Sequence, residues 1–125
     1  MSSKQSQDET RLSFLERQAL DDSERWFGDI EGIHNLGHHV LSLCGEAGEL
    51  ANVVKKIQRG SLDMTDASTH MMLNGETIDV FTYTLNVAGL LGLDLDKGNQ
   101  YTRGRNEERF MRERAAREEA LRNAH

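Results

Sequence analysis

The sequence predicts an all-α fold, a bundle of four to five helices with two acidic helices at its centre. Apolar side chains recur at helical spacing through most of the chain, and capping residues or glycines bound these runs. The one stretch of strand-like composition, residues 80–85, lies inside a longer helical run with no turn signal on either side. The 125 residues, of which 37% are hydrophobic, suit one domain with one core.

The helices are predicted in order from their periodicity and their ends. Gly60 and Gly92 stand where glycine commonly terminates a helix, Asp66 or Ser68 can cap the third helix, and Asp94 can cap the fourth. The predicted spans are residues 10–27, 33–58, 69–91 and 95 to about 121, the last open to an interruption at Gly98 or Gly104. Residues 1–9 are predicted to be a disordered lead-in, 10–110 the helical domain, and 111–125 a charged helical extension laced by i,i+4 charge pairs.

Charge and cysteine content exclude several classes of protein. A net charge of -6 and a pI near 5.3 argue against nucleic-acid binding through a basic surface, although a metal ion can still bridge an acidic protein to a phosphate ligand. Cys44 is the only cysteine, which excludes an intrachain disulfide and fits a reducing, cytoplasmic setting. No stretch has the length of a membrane span, and residues 1–10 lack the apolar core of a signal peptide. We therefore expect a cytoplasmic protein with no nucleic-acid or membrane partner.

Two pairs of carboxylates mark the candidate site. Glu46 and Glu49 lie three residues apart on the second predicted helix, and Glu76 and Asp79 have the same spacing on the third. At about 100° per residue, each pair falls on one face of its helix. Both pairs are embedded in apolar sequence, where uncompensated charge is costly, so a hard divalent cation such as Mg²⁺ is the simplest compensation.

Helical projection extends each acidic pair into a polar face. The two faces consist of Asn35, His38, His39, Ser42, Glu46, Glu49, Val53 and Lys56 on the second helix, and of Met72, Gly75, Glu76, Asp79, Tyr83 and Asn86 on the third. The opposite side of the third helix, with Ile78, Phe81, Leu85 and Ala88, is predicted to be core. Gly45, Gly48 and Gly75 indicate either close helix approach or room for a ligand. A single such pair more often marks a solvent-facing stripe, and even the two pairs together leave that alternative open.

The order and context of these motifs resemble the all-α nucleoside triphosphate pyrophosphohydrolases, the MazG-like superfamily that includes dimeric dUTPases, dCTP pyrophosphatases and phosphoribosyl-ATP pyrophosphohydrolases. The segment GEAGEL (45–50) is followed by VKK (54–56) and then by ETID (76–79), with 26 residues between Glu49 and Glu76. The segment NEERF (106–110) is similar to an N-x-x-R segment of many members. The resemblance covers roughly residues 25–110.

The resemblance implies hydrolysis between the α- and β-phosphates of a (deoxy)nucleoside triphosphate, dependent on Mg²⁺ with Mn²⁺ as a substitute. This hydrolysis would yield the nucleoside monophosphate and pyrophosphate, and its expected role is housecleaning of the nucleotide pool. Glu46, Glu49, Glu76 and Asp79 would be the metal ligands, with Glu46 or Glu49 as the catalytic base. Substrate contacts would come from Lys56, Arg103, Asn106, Arg109, Trp26 and His39. Members of this size are usually dimers or dimers of dimers, so a homodimer or homotetramer is expected.

The sequence departs from relatives in two places and leaves two rival interpretations. Gly45 stands where many members carry a glutamate, and either Arg103 or Arg105 could be the basic residue expected before Asn106. A ferritin-like di-iron bundle needs paired Glu-x-x-His motifs, of which the chain offers only the one at 31–34. The other rival is a non-enzymatic module whose acidic face binds a basic partner. We expect no zinc site at the histidines, because no second His or Cys cluster accompanies them.

Overall fold

The fold is all-α, as predicted, and is built from four helices. A computed structural model of the chain describes residues 4–28 and 33–125, without the side chains of residues 33 and 34. Within these ranges there is no strand. The helices are α1 (Arg11–Phe27), α2 (Ile33–Gln58), α3 (Ala67–Leu91) and α4 (Leu95–Asn123). Part of the predicted lead-in (1–3) and the Glu-x-x-His motif at 31–34 lie outside the described residues or side chains.

Local hydrogen bonds explain most helix ends. The Thr10 hydroxyl accepts a bond from Ser13 N at 3.1 Å and begins α1, and the Asp94 carboxylate accepts one from Lys97 N at 3.0 Å and begins α4. Gly92 ends α3 in the left-handed region, with φ of 64°, where its N–H donates to the last turn. A side chain would be strained at that φ, so glycine is the residue expected there.

Two helices differ from the prediction at their ends or interior. α3 begins at Ala67, two residues before the predicted start, and Asp66 rather than Ser68 occupies the N-cap position, without a side-chain capping bond. α4 continues through Gly98 and Gly104 without a break. Pairs of opposite charge one turn apart follow these glycines along α4 and favour the helix: Arg109–Glu113, Arg114–Glu118 and Glu113–Arg117.

The chain divides into two compact units, residues 1–93 and 94–125. In the first unit α2 and α3 make the most extensive helix contact, and α1 packs on α3. The second unit is α4. The predicted domain boundary at residue 110 falls inside this continuous helix. Residues 6–9, in the predicted lead-in, form a turn that Glu9 ties to α1 through an ion pair with Arg17 at 3.0 Å.

The buried apolar side chains of the first unit include Phe14 and Ala19 of α1, Val53 of α2, and Leu85 and Ala88 of α3. Leu20 of α1 packs directly over Gly89, and Ser23 bonds to Asn86. The prediction that Ile78 and Phe81 are core is wrong, because 49% and 37% of their surfaces are exposed. They lie on earlier turns of α3 than Asn86 and Gly89, the residues that contact α1 through Ser23 and Leu20.

α3 is the most apolar of the four helices, and its apolar residues are distributed around the helix rather than on one face. No single helix in the described ranges is both long and apolar enough to cross a membrane; α3 and α4 meet that test of length and composition only when they are counted together.

The contact between Leu20 and Gly89 yields a stability prediction. A Cβ at residue 89 would overlap Leu20 Cδ1 and lie 2.8 Å from its Cγ. We expect Gly89→Ala to lower the free energy of unfolding by about 1–2 kcal/mol, because the cost of overpacking exceeds the gain in helix propensity. Gly75→Ala is the matched control on the same helix, where the space is open, and should raise the free energy of unfolding by up to about 1 kcal/mol. Urea unfolding of both variants measures the difference, and equal effects would contradict this packing.

Candidate metal site

Three carboxylates converge between α2 and α3. Glu46 comes from α2, and Glu76 and Asp79 come from α3, where their spacing places them one turn apart on one face. One oxygen of each carboxylate lies within 4.8 Å of the other two. Glu46 and Glu76 are half-buried and Asp79 is exposed, so these residues, the acidic cluster, are open to solvent on one side.

The acidic cluster is electrostatically unfavourable without a cation. Burial raises the pKa of Glu46, and the charges of Asp79 and Glu76 raise it further, together with a hydrogen bond to Glu76 and the charge of Glu49. The ion pairs found among the described residues do not include a member of the cluster. A divalent cation would relieve this repulsion, and three converging carboxylate oxygens suit Mg²⁺ or Mn²⁺ with water completing the coordination.

The glycines near the cluster mark open space. A Cβ built at Gly45, Gly48 or Gly75 would meet no atom within 4 Å. The sequence left two explanations for these glycines, close helix approach and room for a ligand. Open space at all three positions fits room for a ligand and does not fit close helix approach. The close approach in the first unit occurs at Gly89, where Leu20 packs.

Glu49, the fourth predicted ligand, stands apart from the other three. Its side chain is exposed, and its carboxylate is not among the converging oxygens. It acts on Glu46 through the weakest of the charges that raise the pKa of that residue. The structure therefore brings together three of the four predicted carboxylates and leaves Glu49 beside them, one turn further along α2.

Lys56 and Trp26, two predicted substrate contacts, lie near helix ends in the first unit. Lys56 is half-buried in the last turn of α2, where its carbonyl accepts hydrogen bonds from the N–H groups of Ser61 and Leu62. Trp26 is 63% exposed near the end of α1. The guanidinium of Arg25 lies 5.6 Å from the Trp26 ring centroid. The indole is therefore accessible and is not a core anchor within the first unit.

The remaining polar candidates share one side of α4. Arg103, Asn106 and Arg109 line a shallow depression on this helix, together with Phe110 and two glutamates. The guanidinium of Arg105 lies over the Tyr101 ring at 5.9 Å, away from these lining residues. Of the two basic residues considered for the position before Asn106, Arg103 is the one that shares its surface.

His39, the last predicted substrate contact, is enclosed between helices with 3% of its surface exposed. Its Nδ1 lies 3.4 Å from the side-chain nitrogen of Asn86, which also donates to Ser23 Oγ at 2.9 Å. Burial, aided by the charge of His38, lowers the pKa of His39. Helical projection placed His39 and Asn86 on the two polar faces, but no local pattern indicates that Ser23, 63 residues before Asn86, completes this contact.

The fold and the site define an all-helical protein with an acidic cluster between two packed helices. No protein-family model matches the chain. The chain is similar to Gene 37 protein of Mycobacterium phage L5, with 36% identity over 73 residues. The match covers 58% of this chain and 64% of the phage protein, so the chain spans less than two thirds of that relative.

Charge removal tests the acidic cluster directly. The pKa of Glu46 is raised above 4.5 in the folded protein, so the folded protein binds this proton more tightly than the unfolded chain does. Protonation of Glu46 therefore stabilises the folded state, and this stabilisation is lost as pH rises through the raised pKa. In metal-free protein we therefore expect Glu46→Gln to raise the free energy of unfolding at pH 7 by up to about 1 kcal/mol, and to have little effect at pH 4. Glu108→Gln, an exposed carboxylate on α4, is the control and should change little at either pH. Urea unfolding in EDTA measures both variants, and a loss of stability at pH 7 in Glu46→Gln would contradict the repulsion.

Proposed function

We propose that the protein is a Mg²⁺-dependent nucleoside triphosphate pyrophosphohydrolase of the MazG-like type, acting in nucleotide-pool housecleaning. One observation carries the proposal: carboxylates from two acidic motifs on two packed helices converge within 4.8 Å of one another. The family resemblance of the segments around them supplies the reaction class. The substrate is a (deoxy)nucleoside triphosphate, cleaved to the monophosphate and pyrophosphate.

Glu46, Glu76 and Asp79 would hold the cation. When bound, it neutralises phosphate oxygens and lowers the pKa of a coordinated water. Glu49 is the better placed of the two candidate bases, because its carboxylate is outside the converging group and remains able to accept a proton. In the reaction Glu49 takes a proton from the attacking water, whose oxygen bonds to the α-phosphorus. The bond from that phosphorus to the bridging oxygen breaks, and pyrophosphate leaves.

The cationic and aromatic candidates would bind the rest of the nucleotide. Lys56 lies two turns beyond Glu49 on α2, and Arg103 and Arg109 present guanidinium groups suited to phosphate oxygens. Asn106 would bond to the base or the ribose, and the exposed Trp26 would stack on the base. His39 is not part of this proposal, because the helices around it enclose its side chain.

Product release from a panel of canonical and modified nucleoside triphosphates tests the proposed reaction. With Mg²⁺ we expect pyrophosphate from one or a few of them, and none with EDTA. Glu49→Gln should lower kcat about 10²–10⁴-fold, the usual contribution of a general base. Asp79→Asn should weaken Mg²⁺ binding, whereas Glu108→Gln should leave activity unchanged.

Other outcomes of the same assay are equally informative. Orthophosphate in place of pyrophosphate would move the cut to another bond. A silent panel from folded protein, with no gain in Tm on adding Mg²⁺, would favour the alternative of an acidic interaction module over an enzyme.

We also propose that the protein works as a homodimer or homotetramer. Leu41 and Met71 are each 75% exposed, and Ile78 and Phe81 add apolar surface on α3. An apolar helix with apolar residues all round is usually covered on more than one side. A second copy of the chain, presenting the same apolar surface, is the partner that we propose.

Paired substitutions test this association. We expect the double variant Leu41→Lys/Met71→Lys to shift the protein to monomer at micromolar concentration, because burying two ammonium groups opposes association. Met64→Lys, a half-exposed residue in the α2–α3 connection, is the control and should leave the oligomer intact. Sedimentation velocity measures all three proteins. Monomeric wild-type protein at this concentration would contradict the proposal.

A further inference from the structure

A buried polar network joins the three helices of the first unit and has no role in the proposed hydrolysis. It consists of Ser23 from α1, His39 from α2 and Asn86 from α3, each with 5% or less of its surface exposed. The Asn86 amide nitrogen lies 2.9 Å from Ser23 Oγ and 3.4 Å from His39 Nδ1. Polar groups at this depth are costly without partners, so these contacts restrict how the helices can pack.

The hydrogen positions follow from this geometry. The Asn86 amide nitrogen has two hydrogens, one for Ser23 Oγ and one for His39 Nδ1. His39 Nδ1 must then accept, so the imidazole is neutral and carries its hydrogen on Nε2. Protonation would place a second N–H between His39 and Asn86, with both groups donating. The contact would change from attraction to repulsion.

The other end of the same amide is unpartnered. Asn86 Oδ1 is buried and has no hydrogen-bond partner among the described residues. Turning the amide over would let Oδ1 accept from Ser23 and from a protonated His39, but it would leave the amide nitrogen buried without an acceptor. Both the present arrangement with neutral His39 and the turned arrangement with charged His39 make two hydrogen bonds and leave one end of the amide unpartnered. Turning the amide therefore does not compensate the cost of burying a charged imidazole.

We propose that the polar network is a proton-sensitive lock on α1, in which neutral His39 holds α1 against α3 and protonation of His39 loosens it. The groups that face His39 are His38 from its own helix, with ring centroids 5.4 Å apart, Tyr83 from α3 at 6.0 Å, and the neutral Asn86. From α1, Ser23 completes the network through Asn86. None of these side chains carries a negative charge at neutral pH that would stabilise an imidazolium.

The sign of the pH dependence follows from linkage. Burial, with the charge of His38, lowers the pKa of His39 below 6.5 in the folded protein. The unfolded chain therefore binds the proton first. The contribution of His39 to stability is complete above about pH 6.5 and is lost as pH falls below that value. Over this range the unfolding equilibrium constant should rise by up to about tenfold per pH unit. Glu46 changes stability in the opposite direction, so a matched variant is needed to isolate His39.

Urea unfolding of the full chain between pH 5 and pH 8 in EDTA tests the lock. His39→Gln replaces the imidazole with a neutral side chain that can still accept from Asn86. Relative to this variant, we expect wild-type protein to show an unfolding constant that rises up to about tenfold per pH unit below pH 6.5. His70→Gln, an exposed histidine on α3, should follow the wild type. Parallel profiles for wild type and His39→Gln would overturn the proposal.

Two measurements on wild-type protein keep the test decisive if His39→Gln fails to fold. Imidazole ¹⁵N chemical shifts should show an unprotonated Nδ1 at pH 7.5 and a midpoint for His39 below pH 6.5. Amide exchange, corrected for the intrinsic rate, should show that residues 19–27 lose protection across the same transition. A midpoint at or above pH 6.5, or unchanged protection of α1 through it, would overturn the proposal. Neither result depends on the proposed hydrolysis, because no nucleotide or metal is present.

Discussion

Polar side chains lie in the contact between α2 and α3, and α1 contacts only some of them. At 1.5 Å per residue, the 17 residues of α1 span about 25 Å and the 25 residues of α3 span about 38 Å. α1 therefore cannot cover all of α3. Where it packs, at Asn86 and Gly89, the polar contact is sealed by Ser23. On the earlier turns, Glu76 and Asp79 keep a route to solvent.

Burial favours the uncharged form of a side chain both in the acidic cluster and in the polar network, but the consequences differ. It favours the neutral form of Glu46 and the neutral form of His39, so the pKa of the first is raised and that of the second is lowered. The acidic cluster is open to solvent at Asp79, and a cation bound there would favour the charged form of Glu46. His39 is enclosed, with 3% of its surface exposed, so a charge on its ring would be costly. One helix pair thus contains a site suited to a ligand and a network suited to holding helices together.

The sequence was informative wherever the determining interactions are local. The Asp94 cap and the end of α3 at Gly92 depend on residues within one turn of each other, and the structure confirms them. It also confirms the predicted bounds of α2. The spacing of Glu76 and Asp79 likewise fixes their shared face. Periodicity cannot specify how a helix sits against its neighbour, and Glu49, although predicted on the same face of α2 as Glu46, is not among the converging carboxylates.

Features that depend on distant residues could not be predicted. Ile78, Phe81 and Leu85 lie along one side of α3 and looked equivalent in the sequence, but only Leu85 is buried. Leu85 is next to Asn86, which contacts Ser23 of α1, and no local pattern encodes that contact. His39 was grouped with the ligand-facing residues for the same reason, since the partners that enclose it come from α1 and α3.

The distribution of charge bears on how a triphosphate would be bound. Residues 94–125 carry eight Lys and Arg against seven Asp and Glu, so the acidic excess of the chain lies in the first unit. Such a unit repels a polyphosphate unless a cation first occupies its carboxylates. Six of the eight basic side chains in α4 are arginines between residues 103 and 117, a residue type whose planar guanidinium suits bidentate binding of phosphate. Under the proposed function, the first unit therefore needs a cation on its carboxylates before a triphosphate can bind.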